Sequence, residues 1–101
     1  MERKTEPTSK KQFKYDIEEP KKYHVIMHND DTTTMDFVVE LLQYLFHKQK
    51  PEAERLMMKI HNEGQAIVGT YFEDIALSKA TLAMSMALQK GFPLLVTLEK
   101  A

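Results

Sequence analysis

The sequence predicts a small α+β domain of element order β-α-α-β-α-β, in which three helices pack on a small three-stranded antiparallel sheet behind a disordered N-terminal tail. Three observations carry this prediction. Short β-branched runs alternate with longer segments of helical periodicity, and the first 22 residues show neither pattern. Finally, 101 residues with 43% hydrophobic side chains and no cysteine support one core, held together by packing alone.

Charge and composition exclude several classes of protein. The 14 Lys and Arg balance 15 Asp and Glu, so the chain lacks the positive excess with which many nucleic-acid-binding proteins neutralise phosphates. The absence of cysteine excludes disulfides, thiolate metal sites and a cysteine nucleophile. Because there is no apolar run of about 18 residues and no secretory signal pattern, we expect no membrane span and a cytoplasmic location.

Residues 1–22 are interpreted as a flexible N-terminal extension, and residues 23–101 as one folded domain. The extension has few large apolar groups, so burying them would not offset the entropy lost on ordering the chain. It also holds seven of the 14 basic residues, which leaves the rest of the chain acidic. Two roles stay open for the extension, a solubilising end and an arm that docks onto a partner.

The first strand and helix are predicted from a β-branched run followed by a capping pattern. Residues 23–28 are typical of a strand, which ends in a turn at 29–31. Thr33 and Thr34 are both candidate N-caps for a helix. Apolar residues then recur at three- and four-residue spacing, so the first helix is predicted over 35–48.

Proline and glycine delimit the remaining elements. Pro51 suits the first turn of a helix, and Gly64 and Gly91 suit the positions just after helix ends. Alanines at helical spacing give the third helix a small-residue face that permits close packing. The predicted elements are a helix over 51–62, a strand over 66–70, a helix over 72–90 and a strand over 94–98.

Candidate functional groups concentrate in the turn after the first strand and at His61. Asn29, Asp30 and Asp31 lie where a strand ends and a helix begins, a position that exposes polar side chains and holds them in place. His61 follows Met57 by four residues and is predicted on the same inner face of the second helix. Ordinary turn and helix-end residues have the same spacing, so that interpretation stays open.

The other histidines do not indicate a metal site. His24 and His28 share one face of the first strand, but two ligands without a third partner do not make a site. His47 is interpreted as a residue of a helix end, where an imidazole suits the negative end of the dipole.

Two functions are compatible with the cluster of Asn29, Asp30 and His61. A hydrolase would use His61 as a general base oriented by an aspartate, but the sequence offers no activated nucleophile or phosphate loop. A binding site needs less, because carboxylate, amide and imidazole groups can hold an ammonium group beside an apolar cavity.

At these residues the sequence resembles the ClpS family of bacterial N-degron adaptors. The likeness runs from Tyr23 to the C-terminus without a gap. Its clearest segments are YHVIMHNDD at 23–31, LMMKIH at 56–61, GQAIVG at 64–69 and PLLVTLEKA at 93–101. Several separated segments that agree in order are far more specific than one short motif.

The resemblance implies a β-α-α-β-α-β adaptor that is not itself a protease. Nothing in the sequence calls for a cofactor or for more than a monomer, so we expect neither. Members of the family bind proteins whose first residue is Leu, Phe, Tyr or Trp. They deliver these substrates to a Hsp100 AAA+ unfoldase, ClpA or ClpC, which is coupled to the ClpP peptidase.

The resemblance also assigns roles to individual positions. The residues that match the family's α-amino-binding groups are Asn29, Asp30 and His61, with Asp31 at the adjacent acidic position. The residues that match the wall of its hydrophobic pocket are Thr33, Met35, Val38, Met57, Ile60 and Leu94, and Met35 matches the residue that narrows the pocket against β-branched side chains. The residues that match its unfoldase contact are Asp74 and Lys79.

Three positions depart from the family pattern. Thr32 and Thr34 stand at the pocket rim where relatives often have another residue and a proline. Leu77 replaces an acidic residue close to the unfoldase contact. The N-terminal extension varies in sequence across the family, so residues 1–22 match it only by role, as an arm that engages the unfoldase.

Overall fold

The computed structural model describes residues 20–101. Residues 1–19, which make up most of the predicted extension, lie outside the described residues, and the extension stays a prediction. In chain order the elements are β1 (Lys22–His28), α1 (Met35–Tyr44), α2 (Lys50–Glu63), β2 (Gln65–Phe72), α3 (Glu73–Gln89) and β3 (Val96–Lys100). The predicted α+β class and element order are confirmed.

The three strands form one antiparallel sheet with β1 at its centre, in the order β2-β1-β3. One face of β1 contributes Val25 and Met27 to the buried core, where they join Val68 of β2. The register shifts between Val25 and Ile26, because Val25 pairs with Gly69 and Ile26 with Ile67. Val68 is therefore the extra residue of a bulge in β2.

Helix α3 packs on the sheet through the predicted alanine face. Ala76, Ala80, Ala83 and Ala87 are each at most 2% exposed, and α3 contacts all three strands. Because alanine has no atoms beyond Cβ, the helix can lie close to the strands. Phe37 of α1 meets Phe92 edge-to-face with ring centroids 5.3 Å apart, which ties α1 to the segment that precedes β3.

Element boundaries differ from the prediction by two residues or more at the end of α1, at the end of β2 and at both ends of β3, and by at most one residue elsewhere. Helix α1 ends at Tyr44 and not at 48, because the chain turns after it and His47 takes a left-handed conformation with φ 58°. The apolar pattern continued through Leu45 and Phe46 because both are buried, although they lie in a turn. Strand β3 begins at Val96, two residues later than predicted.

Candidate functional site

The loop between β1 and α1 is held by two backbone hydrogen bonds. The Asn29 N–H donates to the Gly64 carbonyl at 2.9 Å, and the His28 N–H donates to the Leu95 carbonyl at 3.0 Å. Gly64 ends α2 with φ 91°, a left-handed conformation that favours glycine. Asn29 is thereby held between the end of α2, which carries His61, and the segment before β3.

Asp30 is fixed by its own loop. Its Oδ1 accepts from the N–H groups of Thr32 at 2.8 Å and Thr33 at 2.7 Å, and its Oδ2 accepts from the Thr33 hydroxyl at 2.7 Å. Such bonds to amides two and three residues ahead are typical of aspartate in turns. Partial burial raises the pKa of Asp30, but the hydrogen bonds from Thr33 and Thr32 together bring the pKa below its ordinary value. The loop thus presents an oriented, ionised carboxylate.

Thr34, and not Thr33, caps α1. The Thr34 hydroxyl accepts from the Phe37 N–H at 3.2 Å, whereas the Thr33 hydroxyl is committed to Asp30. A proline at position 34, which the family resemblance leads one to expect, would have no side-chain oxygen for this bond, so Thr34 supplies α1 with its cap. Met35 is the first residue of the helix.

The six residues predicted to line the hydrophobic pocket divide into two groups. Val38, Met57, Ile60 and Leu94 belong to one buried cluster, and none of them is more than 6% exposed. Met35 is 41% exposed and Thr33 is half-buried. The structure therefore brings the predicted wall together as part of the core, with Met35 and Thr33 at the surface.

The polar candidates lie at the surface, and one orientation was predicted wrongly. Asn29, Asp31 and His61 are exposed. His61 does not share the inner face of α2, because Met57 already lies at the edge of that face and the next turn carries position 61 towards solvent. Within residues 20–101, which include His61 and Asp30, no hydrogen bond joins these two side chains. The Asp30 carboxylate is bound by its own loop instead. The oriented pair that a hydrolase would need is not assembled.

Two surface clefts lie elsewhere on α1 and were not predicted. One, of about 350 Å³, is mostly apolar and separates α1 from the end of α3; it is lined by Phe37, Glu40, Leu41, Tyr44, Met86 and Lys90. The other, of about 400 Å³, is polar and separates α1 from α2; it is lined by Asp36, Val39, Glu40, Gln43, Lys50 and Glu54. Neither includes a predicted wall residue, because four of those side chains pack against one another in the core.

The face of the sheet opposite the core carries the histidines of β1. A ring nitrogen of His24 lies 2.8 Å from the Thr70 hydroxyl, and one of His28 lies 2.8 Å from the Thr97 hydroxyl. Within residues 20–101 no group of three or more His, Cys, Asp and Glu side chains is placed to hold a metal ion. In that same part of the chain, none of the helices has the length and hydropathy required to cross a bilayer.

The two residues predicted to contact the unfoldase lie on α3. Asp74 is exposed in the first turn, where one carboxylate oxygen accepts from the Ile75 N–H at 2.9 Å. Lys79 is half-buried, and its Nζ donates to the carbonyl of Leu45 at 2.6 Å. Lys79 is thus bonded within the fold, a feature that the sequence did not indicate.

Comparison with known proteins places this chain among the adaptors of ATP-dependent proteases. The family model described as ATP-dependent Clp protease adaptor protein ClpS matches residues 18–97. The chain belongs to the ClpS family, and the resemblance found in the sequence is confirmed.

Its relatives cover most of the chain. It is 48% identical over 90 residues to the ATP-dependent Clp protease adapter protein ClpS of Acetivibrio thermocellus, across 89% of this chain and 91% of that protein. It is 44% identical over 95 residues to the protein of the same name from Desulfatibacillum aliphaticivorans, across 94% and 86%. The structure of Agrobacterium tumefaciens ClpS2 bound to L-phenylalaninamide matches with a TM-score of 0.79 at 37% identity, covering 82% of this chain and all of that one.

Proposed function

We propose that this adaptor binds the free α-amino group and the bulky first side chain, Leu, Phe, Tyr or Trp, of N-degron substrates. It then delivers them to a Hsp100 AAA+ unfoldase, ClpA or ClpC, for degradation by ClpP. The observation that carries the proposal is the fixed carboxylate of Asp30 at the surface beside Asn29. The Agrobacterium relative supports it, because L-phenylalaninamide presents a free amine and an aromatic side chain.

The amine site comprises Asn29, Asp30 and His61. A carboxylate has about four lone-pair positions, and the loop uses two on Oδ1 and one on Oδ2. Oδ2 therefore keeps a free position for a substrate ammonium, whose other donors would meet the Asn29 amide oxygen and a His61 ring nitrogen. Each hydrogen bond to a charged group contributes roughly 1.5–3 kcal/mol.

The degron pocket comprises Thr33, Met35, Val38, Met57, Ile60 and Leu94. Since four of these side chains are packed in the core, an entering side chain would displace Met35, which is exposed, unbranched and able to change rotamer. Burial of a Leu or Phe side chain contributes roughly 1.5–3 kcal/mol. Against an association cost of roughly 4–15 kcal/mol, this predicts weak binding at about micromolar affinity, which permits release.

Delivery requires a second surface, which we place on α3 at Asp74 and Lys79. The amine site lies on the β1–α1 loop and on α2, so substrate and unfoldase would contact different elements of one molecule. We assign residues 1–22 the role of an arm that engages the unfoldase, ahead of the adaptor domain at 23–101. A cytoplasmic monomer without cofactor or nucleic acid suffices for this function.

Fluorescence anisotropy with labelled peptides tests the proposal. Peptides that begin with Leu, Phe, Tyr or Trp should bind at about micromolar affinity, and acetylation of the α-amino group should weaken binding at least tenfold. Asn29→Ala and His61→Ala should also weaken it, whereas the matched controls Asn62→Ala and His47→Ala should not. Equal affinity for acetylated and free peptides would refute the amine site. Unfoldase binding without any peptide affinity would instead indicate an interaction domain that has lost degron recognition.

A further inference from the structure

The ammonium group of Lys79 lies at the C-terminal end of α1. Its Nζ donates to the carbonyl of Leu45 at 2.6 Å, and Leu45 is the C-cap residue of that helix. The last carbonyls of a helix have no partner within the helix, and they form the negative end of its dipole. A lysine from α3 therefore satisfies one of these carbonyls and offsets the partial charge.

Two aromatic rings hold this ammonium in place. Nζ lies 5.8 Å from the ring centroid of Phe46 and 5.2 Å from that of Tyr71, within the range of cation–π attraction. The position of the Tyr71 ring in turn depends on Gly69, where an added Cβ would come within 2.5 Å of the Tyr71 hydroxyl. The hydrogen bond, the two rings and the glycine together fix the lysine against the end of α1.

We propose that Lys79 is a positioning residue for α1, and through α1 for the degron pocket. Met35 and Val38 lie near the start of this ten-residue helix, about 15 Å in length, and Lys79 fixes its other end. A short helix moves as a rigid body, so losing the bond at Leu45 shifts the residues that contact the first side chain. The pocket part of this inference rests on the proposed function. The same lysine then serves both the fold and the surface that we assign to the unfoldase.

The coupling from Lys79 to the pocket is testable without any substrate. In the full chain, ring currents from Phe46 and Tyr71 should shift the Lys79 side-chain methylene resonances upfield. Lys79→Met, which keeps the apolar stem and removes the ammonium, should shift the methyl resonances of Met35 and Val38. Methyl resonances that stay unchanged would overturn the positioning role.

Peptide binding then tests the consequence for specificity, with no unfoldase present. In folded Lys79→Met, affinity for a Phe-initiated peptide should fall about three- to tenfold, and the preference for Phe over Ile at the first position should shrink. Lys79→Arg, which restores a donor, should recover most of both. The control Lys100→Met removes an exposed lysine of β3. Its affinity for the Phe-initiated peptide and its preference for Phe over Ile should both stay within about twofold of wild type.

The ratio of the affinities for Phe- and Ile-initiated peptides distinguishes a positioning role from simple destabilisation, because a smaller folded fraction weakens the binding of all peptides equally. A folded Lys79→Met variant with the wild-type affinity and ratio would overturn the inference and leave Lys79 as a docking contact only. A wild-type protein that binds no peptide would refute the proposed function instead, and the methyl resonances would still decide the positioning role.

Discussion

The Thr33 hydroxyl offers a direct test of how the carboxylate of Asp30, in the proposed amine site, is held. Thr33→Val keeps the branched shape and deletes the group that donates to Asp30 Oδ2 at 2.7 Å. The two backbone bonds to Oδ1 remain. The variant therefore isolates one hydrogen bond to one carboxylate.

The expected loss of stability is about 1 kcal/mol at pH 7. A hydrogen bond to a charged group contributes roughly 1.5–3 kcal/mol, and we take less than this because Asp30 is only partly buried and solvent screens it. For a domain of this size, 1 kcal/mol lowers the midpoint of thermal unfolding by roughly 4–8 °C. Urea unfolding followed by circular dichroism measures the free energy directly.

The loss should also depend on pH in a defined direction. The folded pKa of Asp30 lies below its ordinary value of about 3.9. Its contribution to stability is therefore fully present above that value and is lost as pH falls through the folded pKa. The difference in unfolding free energy between wild type and Thr33→Val should be at its full size at about pH 6 and should shrink below about pH 4.

Thr32→Val is the matched control, because Thr32 bonds Asp30 through its backbone N–H only. Its unfolding free energy should stay within about 0.5 kcal/mol of wild type at every pH. A Thr33→Val deficit of equal size at neutral and acidic pH would show that the side chain stabilises the loop by packing, and the argument for a held carboxylate would fail.

Three further substitutions test other parts of the structure. Gly69→Ala forces the Tyr71 side chain to move and should lower the free energy of unfolding in urea by about 1–3 kcal/mol. When Tyr71→Leu is already present, Gly69→Ala should cost much less, and an equal cost with and without Tyr71 would contradict the clash. Met35→Ala should admit Ile- and Val-initiated peptides in anisotropy titrations while changing the free energy of unfolding by less than about 0.5 kcal/mol. Unchanged specificity would contradict the proposal that Met35 narrows the pocket. His47→Gly removes the steric strain of a side chain in the left-handed conformation, although glycine loses more chain entropy on folding, and the free energy of unfolding should rise by up to about 1 kcal/mol. A gain of the same size in His47→Ala, which keeps a Cβ, would exclude relief of strain as the cause.

Local sequence patterns predicted the type and order of the elements. They failed at the end of α1, which tertiary packing determines. The order of strands and helices follows from periodicity, because each element buries one face of regular spacing. The end of α1 could not be predicted, since Leu45 and Phe46 continue the apolar pattern into a turn, and the residue that stops the helix is His47 and not a glycine.

The same division applies to the candidate site. The turn that carries Asn29 and Asp30 could be placed from the sequence, because a polar run follows a β-branched one. Spacing could not decide between Thr33 and Thr34 as the cap, since both fit it. The bond from Lys79 to Leu45 joins residues 34 positions apart, and only the packing of α3 beside α1 brings them together.

The central place of β1 determines how the domain resists mechanical force. This strand pairs with β2 along seven residues and with β3 along five, and it is the first element of the described chain. A pull from the N-terminal side loads the hydrogen bonds along both edges of β1. A pull from the C-terminal side begins at β3, an edge strand bonded on one side only. Resistance to forced unfolding, which depends on the unfolding rate, should therefore be greater when the N-terminal end is pulled.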